Sequence, residues 1–241
     1  MHGNLDALAD LNSDASRPRP ALWLATPEAQ TCFDPASLSE ADRTRWLASR
    51  NSRRQQEFKV SRALKVFAGS GNHAQSLSHS GGHAALLIAD SELQVGVDLE
   101  VSRPRDVLRI ARFSFSNEEI AALDARMGSA RDSLFYTLWT MKEALAKALR
   151  LDLLDALRQC VFAPSAAGLP ADTRWSGSAP TPSPWSVQVF QPKPGFFLAA
   201  AAIGASGLPS LQTWEWPPRQ AASWPLIAAA AAPAGAAALP A

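Results

Sequence analysis

The chain has 241 residues, of which 19% are charged, and its 23 Lys and Arg nearly cancel its 22 Asp and Glu, which leaves a net charge of +1. A chain of this length forms one large domain or two small ones and can bury a core without disulfides. The near-neutral charge argues against a protein built around nucleic-acid binding, which usually has a strongly basic domain. Two cysteines, Cys32 and Cys160, are too few for a disulfide framework or a cysteine-rich zinc site.

The two ends of the chain differ in composition from the rest. Residues 1–20 are polar and interrupted by prolines, which predicts a flexible lead-in, and no secretory signal is visible, so we expect a cytoplasmic protein. Residues 219–241 are rich in Ala and Pro and are uncharged from residue 220 onward. Prolines interrupt this run too often for a membrane-spanning helix, so we expect a poorly ordered tail and no membrane span.

Apolar periodicity predicts strands and helices in both halves of the chain, in an α+β arrangement of two lobes. In the first half we expect a strand at 22–25, helical structure from 39 to 66 with one break, and paired strands at 84–89 and 93–99 around a turn at Asp90-Ser91. In the second half we expect helical structure at 104–126, a helix at 133–150, a loop at 163–184, and strands at 185–190, 196–203 and 211–216. This divides the chain into an N-terminal subdomain at 21–112 and a C-terminal subdomain at 113–218.

The predicted helical segment from Arg43 to Lys65 is strongly basic. It holds eight basic residues against one acid, Glu57. Guanidinium groups pair well with phosphate oxygens, so the segment fits a site for a polyanionic small molecule. A solvated helix face explains the same composition equally well.

The segment from Gly96 to Glu100 carries acidic residues at alternate positions. On a strand, Asp98 and Glu100 project from one face while their apolar neighbours lie on the other. Two adjacent carboxylates repel each other unless a cation lies between them, and magnesium prefers such oxygen ligands. The alternative is a pair of exposed acids on an edge strand.

A second group of candidate site residues lies on the predicted helix at 133–150. Trp139, Glu143 and Lys147 are four residues apart and therefore share one stripe of the helix. In a functional site, Glu143 would act as a third metal ligand and base, and Lys147 as a cation for phosphate charge. The alternative is an ordinary Glu–Lys pair on a helix surface beside a core tryptophan.

Ser78 and His79 follow a glycine-containing loop and come just before a predicted strand. A single histidine is more often structural than catalytic, but beside serine hydroxyls it can donate a hydrogen bond to a phosphate. No spacing of His and Cys suggests zinc.

In chain order these features are a basic helix, a Ser-His pair, a Gly-Val-Asp-Leu-Glu strand and a Trp-Thr-Met-Lys-Glu-Ala-Leu-Ala-Lys helix. Together they resemble the 4′-phosphopantetheinyl transferases of the Sfp type, whose hallmarks are a Gly-x-Asp-x-Glu strand and a Trp-x-x-Lys-Glu-Ala-x-x-Lys helix. An arginine and phenylalanine element of the family is matched by Arg53 or Arg54, Phe58 and Arg62. The resemblance runs from about residue 38 to residue 163.

The resemblance implies a pseudo-dimer of two similar α/β subdomains with the active site in the cleft between them. It implies that coenzyme A donates 4′-phosphopantetheine to a serine of an apo acyl, aryl or peptidyl carrier protein and leaves as adenosine 3′,5′-bisphosphate. Asp98, Glu100 and Glu143 would hold magnesium, or manganese, on the diphosphate. Glu143 would be the base, directly or through a water, and Lys147 would stabilise or protonate the leaving phosphate.

The same resemblance assigns residues to the two substrates. The nucleotide end of coenzyme A, with its 3′-phosphate, would contact Arg54, Arg62, Ser78 and His79, while Lys142 and Lys147 flank the phosphates. The carrier protein, acidic around its modified serine, would dock on Arg105, Arg109 and Arg112, which fall on one predicted helix face. A solvated arginine-rich helix is the alternative for that face. Sfp-type members are usually monomers, and we expect no nucleic-acid partner.

Two positions depart from the family pattern. The Gly-Lys-Pro element that often precedes Ser-His has no counterpart in residues 69–75, so its lysine contact to coenzyme A is missing or replaced. Arg150 stands where the long helix usually reaches a glycine, which puts the local turn in doubt.

Two other classes of function fit part of the pattern. A metal-dependent phosphodiesterase or nuclease would also use clustered carboxylates with a lysine, but here the basic residues are local and the net charge is near zero. A carrier-protein binder without chemistry would not need the acids and the lysine.

Overall fold

The computed structural model describes residues 20–48, 51–69, 73–164, 174–204, 208 and 211–232. Within these ranges the strands are β1 (Ala21–Ala25), β2 (Ala74–Ser80), β3 (His83–Ala89), β4 (Gln94–Val101), β5 (Val161–Pro164), β6 (Arg174–Ser178), β7 (Trp185–Phe190), β8 (Phe196–Ile203), β9 (Gln212–Trp216), β10 (Gln220–Ala222) and β11 (Leu226–Ala231). The α-helices are α1 (Glu40–Ala48), α2 (Ser52–Ala68), α3 (Val107–Ser114), α4 (Asn117–Asp124), α5 (Gly128–Leu149) and α6 (Leu153–Gln159).

The strands form two sheets. Sheet A has five strands in the order β10-β9-β1-β3-β2, and sheet B has six in the order β4-β8-β7-β11-β6-β5. Neighbouring strands are antiparallel except for two parallel pairs, β1 with β9 and β11 with β6. The expected α+β fold, with two similar halves, is confirmed.

Successive side chains of a strand point to opposite faces of its sheet, and their contacts define four layers in the fold. In β1, Leu22 and Leu24 belong to the apolar cluster shared by the two sheets, whereas Trp23 packs in the cluster with α2. In β4, Val97 and Leu99 lie in the cluster between the sheets, so the even-numbered residues face α5. The layers are therefore α2, sheet A, sheet B and α5.

Gly96 allows α5 to lie unusually close to β4. A Cβ atom at this position would lie 1.9 Å from the carbonyl oxygen of Ala144 on α5, which is far inside van der Waals contact. Any other residue would push the helix away from the strand. Glycine in the acidic strand motif is thus required by helix packing, and the close approach brings the acids of β4 next to the side chains of α5.

The predicted pairing of the strands at 84–89 and 93–99 is wrong, although both strands exist. β3 is hydrogen-bonded to β1 on one side and β2 on the other, so neither of its edges is open to β4. β4 pairs instead with β8 in the other sheet. β9 and β10 in turn belong to sheet A, so sheet membership does not follow the predicted boundary between residues 112 and 113.

The expectation of a poorly ordered tail is wrong for its described part. β10 and β11 lie within 219–232, and alternate alanines of β11, Ala228 and Ala230, are buried in the apolar cluster that sheet B shares with α5. Low charge and high alanine content therefore reflect a buried strand here. Residues 233–241 and the lead-in at 1–19 lie outside the described residues. The predicted loop at 163–184 likewise contains β6.

The remaining predicted elements agree with the structure apart from their ends. α5 begins at Gly128, five residues before the predicted start at Ser133, and the helical region at 104–126 is divided into α3 and α4. α6 was not predicted. No helix among the described residues is both long and apolar enough to cross a bilayer.

Candidate active site

Asp98 on β4 and Lys147 on α5 form the centre of the candidate site. The ammonium nitrogen of Lys147 donates to Asp98 Oδ1 at 2.9 Å, to the hydroxyl of Ser78 at 3.1 Å and to the carbonyl oxygen of Val97 at 2.8 Å. All three of its protons therefore have acceptors on β2 or β4. This ion pair joins the two motifs that the sequence separates by about forty residues.

Asp98 is almost fully buried, at 2% exposure. Its Oδ1 atom accepts hydrogen bonds from Lys147 and Ser78, whereas Oδ2 is buried and has no hydrogen-bond donor among the described residues. A buried carboxylate oxygen without a partner is costly. Oδ2 is therefore available to accept a hydrogen bond from a protonated group or to bind a cation.

Glu143 lies on the same stripe of α5 as Lys147 and faces Asp98. Burial, followed by the negative charge of Asp98, raises the pKa of Glu143 to about 8, and the positive charge of Lys147 opposes this shift. The Glu143 carboxyl is close enough to Asp98 to share a hydrogen bond when it is protonated. Near neutral pH, Glu143 therefore keeps a proton that it can share with Asp98, or a cation takes the place of that proton.

Glu100 is the third acid of the cluster. Burial and the charge of Asp98 raise its pKa, while a hydrogen bond from Ser80 and the charges of Arg105 and Arg103 lower it. The Ser80 hydroxyl donates to Glu100 Oε2 at 3.1 Å. Glu100 is therefore close enough to Asp98 and Glu143 for the three carboxylates to repel one another.

The donor set fits a magnesium ion. A cation would relieve both the burial of Asp98 Oδ2 without a donor among the described residues and the mutual repulsion of the carboxylates, and the available ligand atoms are hard oxygens. In the described part of the chain, no three His, Cys, Asp or Glu side chains are already gathered tightly enough to form a metal centre. Magnesium usually takes one or two carboxylates together with waters and substrate phosphates, so an all-protein cage is not needed.

Ser78 and His79 lie within β2, whereas the sequence placed them just before a strand. Ser78 reaches the acid cluster, but His79 points to the opposite face, where its Nδ1 atom lies 3.5 Å from Glu57 Oε2. Half of the His79 side chain is exposed, at 50%. Ser78 therefore faces the acid cluster, whereas His79 lies beside α2 on the other face of sheet A.

Glu57 is a site residue that the sequence analysis did not single out. Its buried carboxylate also contacts Arg53 at 3.3 Å and accepts the amide of Gly82 in the β2–β3 turn at 3.4 Å. As the one acid in a basic helical segment, it could have been recognised as the fixed counter-ion of that segment.

The predicted phosphate ligands on α2 lie on the outer side of sheet A. The Arg62 guanidinium contacts Asp42 of α1 at 3.0 Å and lies 4.8 Å from the centroid of the Phe58 ring. Arg54 is exposed, and its backbone amide is capped by the Asn51 side chain. Arg62 therefore has an acidic partner in this structure, while Arg54 is open to solvent.

The structure does not place Lys142 with the phosphate-binding candidates. Its side chain is completely buried, and its ammonium nitrogen lies 2.8 Å from Glu119 Oε2 and donates to the carbonyl oxygens of Leu157 and Cys160 at 2.6 Å each. It also lies 4.7 Å from the centroid of the Phe115 ring. The prediction that Lys142 flanks the phosphates is corrected, since the residue joins α4, α5 and α6 inside the C-terminal half.

The three arginines of the predicted docking face do not share one helix face. α3 begins at Val107 after an Asp106 cap, so Arg105 lies outside it, and its guanidinium sits 5.3 Å from the centroid of the Tyr136 ring near Glu100. Arg109 and Arg112 are exposed on α3. Phe113, which sequence analysis missed, is 72% exposed beside them.

Arg150 keeps the turn that a glycine usually makes. It adopts a left-handed conformation, with φ of 56°, and its amide closes the end of α5 on the carbonyl oxygen of Lys147. Arg150 therefore adopts a left-handed conformation of the kind that glycine commonly provides at the end of a helix.

The part of the chain that carries the acids matches a known class of protein. Residues 94–201 match the family model of the 4′-phosphopantetheinyl transferase superfamily, named ACPS. This segment contains β4 and α5, whereas Ser78, His79 and Arg62 lie before it.

Individual relatives agree with this class. The 4′-phosphopantetheinyl transferase AcpT of Escherichia coli K12 is 45% identical over 73 residues, which cover 30% of this chain and 37% of the relative. AcpT of Salmonella typhi is 45% identical over 73 residues, 30% of this chain and 38% of its own length. A protein of Synechocystis sp., provisionally named a 4′-phosphopantetheinyl transferase, is 34% identical over 87 residues, 36% of this chain and 35% of the relative. The matched part of the chain thus spans little more than a third of the length of these relatives.

Proposed function

We propose that this protein transfers 4′-phosphopantetheine from coenzyme A to a serine of an apo carrier protein, in a magnesium-dependent reaction. The observation that carries the proposal is the contact between the two motifs, in which Lys147 of α5 holds Asp98 of β4 and Glu143 lies against the same carboxylate. The match of residues 94–201 to a transferase superfamily supports it.

The reaction forms a bond between the carrier serine oxygen and the pantetheine-linked phosphorus, and it breaks the bond from that phosphorus to the bridging oxygen of the diphosphate. Adenosine 3′,5′-bisphosphate leaves with the bridging oxygen. A serine hydroxyl is a weak nucleophile, so its proton needs an acceptor. Glu143 is suited to take it, directly or through a water, because its carboxyl lies against Asp98 in the acid cluster, next to where the diphosphate would bind.

Asp98 and Glu143, with Glu100 beside them, would hold magnesium, and the bound ion would offset charge on the diphosphate and align its oxygens. Lys147 is suited to stabilise charge on the leaving phosphate. Its three protein acceptors hold the ammonium group in one place, so donation to a phosphate oxygen replaces one of these hydrogen bonds rather than requiring a new side-chain position.

The nucleotide end of coenzyme A is assigned to the outer side of β2 and α2. His79 lies there beside Glu57, Arg62 pairs with Asp42, and Arg54 is an exposed arginine of the same basic helix α2. Phosphate oxygens would compete with Asp42 for Arg62 and would add a partner to the half-exposed His79. Carrier proteins are acidic near the modified serine, so exposed Arg109, Arg112 and Phe113 of α3 are suited to receive them.

The proposal is tested by incubating the protein with coenzyme A, magnesium and an apo carrier protein, and reading the intact mass of the carrier. We expect one phosphopantetheine per carrier, with no transfer in the presence of EDTA. A panel of carriers from fatty-acid, polyketide and peptide synthesis that shows no gain in mass would refute the proposal. Cleavage of coenzyme A without any carrier would favour a phosphodiesterase instead.

A further inference from the structure

Three serines link the two sheets at the site. β2 is an edge of sheet A and β4 is an edge of sheet B, and the two strands lie side by side without forming one ladder. Ser76 Oγ accepts the amide of Val97 at 2.9 Å, and Ser80 Oγ accepts the amide of Val101 at 3.2 Å. Ser76 and Ser80 thus provide acceptors for amides of an edge strand that would otherwise face no ladder. Ser78, between them, contacts the Asp98 side chain of the same strand, and the three residues form what we call the serine bridge.

Two members of the serine bridge also hold acids. Ser80 donates to Glu100 Oε2 at 3.1 Å, and Ser78 donates to Asp98 Oδ1 at 3.0 Å. A hydroxyl has a single proton, and the amide of Val101 already occupies a lone pair of Ser80. The proton of Ser80 is therefore directed at the Glu100 carboxylate, and one carboxylate oxygen is left for another partner.

We propose that Ser80 is a positioning residue that fixes the carboxylate of Glu100 for the cation shared by the acid cluster. The inference rests on the proposed function, because it takes that cluster as the magnesium site. Asp98 is held by both Lys147 and Ser78, and strand and helix bury it. Glu100 is less buried and lies close to the end of β4, so its longer side chain depends more on its hydroxyl partner.

The serine bridge supplies its own matched control. Ser76→Ala and Ser80→Ala each remove one hydroxyl and one acceptor for a β4 amide, but the Ser76 hydroxyl has no carboxylate partner among the described hydrogen bonds. A purely structural role predicts equal effects of the two changes. A positioning role predicts an effect on metal binding from Ser80→Ala alone.

The test measures binding of Mn²⁺ by electron paramagnetic resonance, first to the free protein and then with coenzyme A present. Outer-sphere partners of metal ligands typically change metal affinity by about ten- to a hundred-fold, so we expect Ser80→Ala to raise the Kd for Mn²⁺ about ten-fold. Ser76→Ala should leave the Kd close to that of the wild type, and Ser80→Thr, which keeps the hydroxyl, should restore it. Urea midpoints of the two alanine variants should agree.

Equal Kd values for the two alanine variants, tighter binding by Ser80→Ala, or a wild-type protein that binds no Mn²⁺ in either condition would overturn the inference. The metal measurement is separate from transfer to a carrier. Metal binding that depends on Ser80 in a protein that modifies no carrier would retain the inference and remove the proposed function. Transfer by the wild type with no effect of Ser80→Ala on the Kd would do the reverse.

Discussion

The ammonium group of Lys142 lies 2.8 Å from the carboxylate of Glu119, and neither side chain has any exposed surface. Glu119 also accepts the amide of Phe162 at 2.8 Å and the amide of Ser116 at 2.9 Å. A charge pair with this many hydrogen bonds is stable only while both partners are present. Lys142 therefore belongs to the structure of the C-terminal half, although it is adjacent in sequence to Glu143.

Lys142→Met should destabilise the protein because it leaves Glu119 buried without its cation. Breaking a buried pair by removing one partner typically costs about 3–5 kcal/mol. Urea denaturation followed by circular dichroism measures the change. The double variant Lys142→Met with Glu119→Gln should recover part of the loss, since no buried charge remains.

If Lys142 contacted coenzyme A directly, Lys142→Met would affect substrate binding and leave stability unchanged. Unfolding free energy would then stay near that of the wild type, while the KM for coenzyme A would rise. The same measurements on Lys142→Met therefore distinguish a structural lysine from a phosphate ligand.

Glu143→Gln should abolish transfer and leave the fold intact, because the amide cannot accept the serine proton or hold a cation as strongly. The intact mass of the carrier shows whether transfer has occurred, and circular dichroism shows whether the variant is folded. Activity near that of the wild type would remove Glu143 from both the base and the ligand roles.

Glu143 should also make the metal-free protein less stable as the pH rises. Its pKa is raised from the ordinary value of 4.5 to about 8, so between these values the native state holds a proton that the unfolded state has lost. The resulting stabilisation is fully present below pH 4.5 and is lost as the pH rises through about 8. Urea unfolding in EDTA at several pH values should show Glu143→Gln gaining stability relative to the wild type from pH 5 to pH 8.5. Stability curves that run parallel would contradict the raised pKa.

Local sequence rules place much of the acid cluster. Alternation on β4 predicts that Asp98 and Glu100 share a face, and helical spacing predicts that Glu143 and Lys147 share a stripe. The structure brings Asp98 and Lys147 into contact, which agrees with these local rules. The resemblance assigns acids of both elements to one magnesium ion, so it alone predicted that β4 and α5 meet, because no local pattern tells which helix will cover which strand. The direct ion pair between Asp98 and Lys147 was not predicted.

Sequence spacing could have separated the two lysines of α5. Lys142 has Leu138 four residues before it and Leu145 three residues after it, so it lies on the apolar stripe of the helix, whereas Lys147 shares a stripe with Glu143. No comparable sequence pattern predicts that β4 leaves the sheet of β3 and pairs with β8 in sheet B. β4 and its partner β8 are about a hundred residues apart, and nothing in either segment encodes the other as a neighbour.

Arg109→Glu should impair use of the carrier protein more than use of coenzyme A. The side chain is exposed on α3 beside Phe113 and outside the acid cluster, so charge reversal would repel an acidic partner without disturbing the site. The KM for the carrier should rise about ten-fold, which corresponds to about 1.4 kcal/mol, and the KM for coenzyme A should stay within two-fold, or roughly 0.4 kcal/mol. Arg158→Glu, another exposed arginine on α6, is the control and should change neither. An unchanged KM for the carrier would exclude this face of α3 as the docking surface.

Arg150→Gly should stabilise the protein, although it removes a charge and a side chain. Arg150 has a φ of 56°, in the left-handed region where a Cβ atom crowds the following carbonyl and where glycine is not penalised. The backbone hydrogen bonds that end α5 stay the same, so relief of this strain should raise the free energy of unfolding by about 1 kcal/mol. Ala121→Gly, at an exposed position inside α4, is the control and should lower stability by about 1 kcal/mol, because there glycine mainly adds freedom to the unfolded chain. Urea denaturation of both variants decides the matter, and loss of stability in Arg150→Gly would show that the arginine side chain itself holds the end of α5.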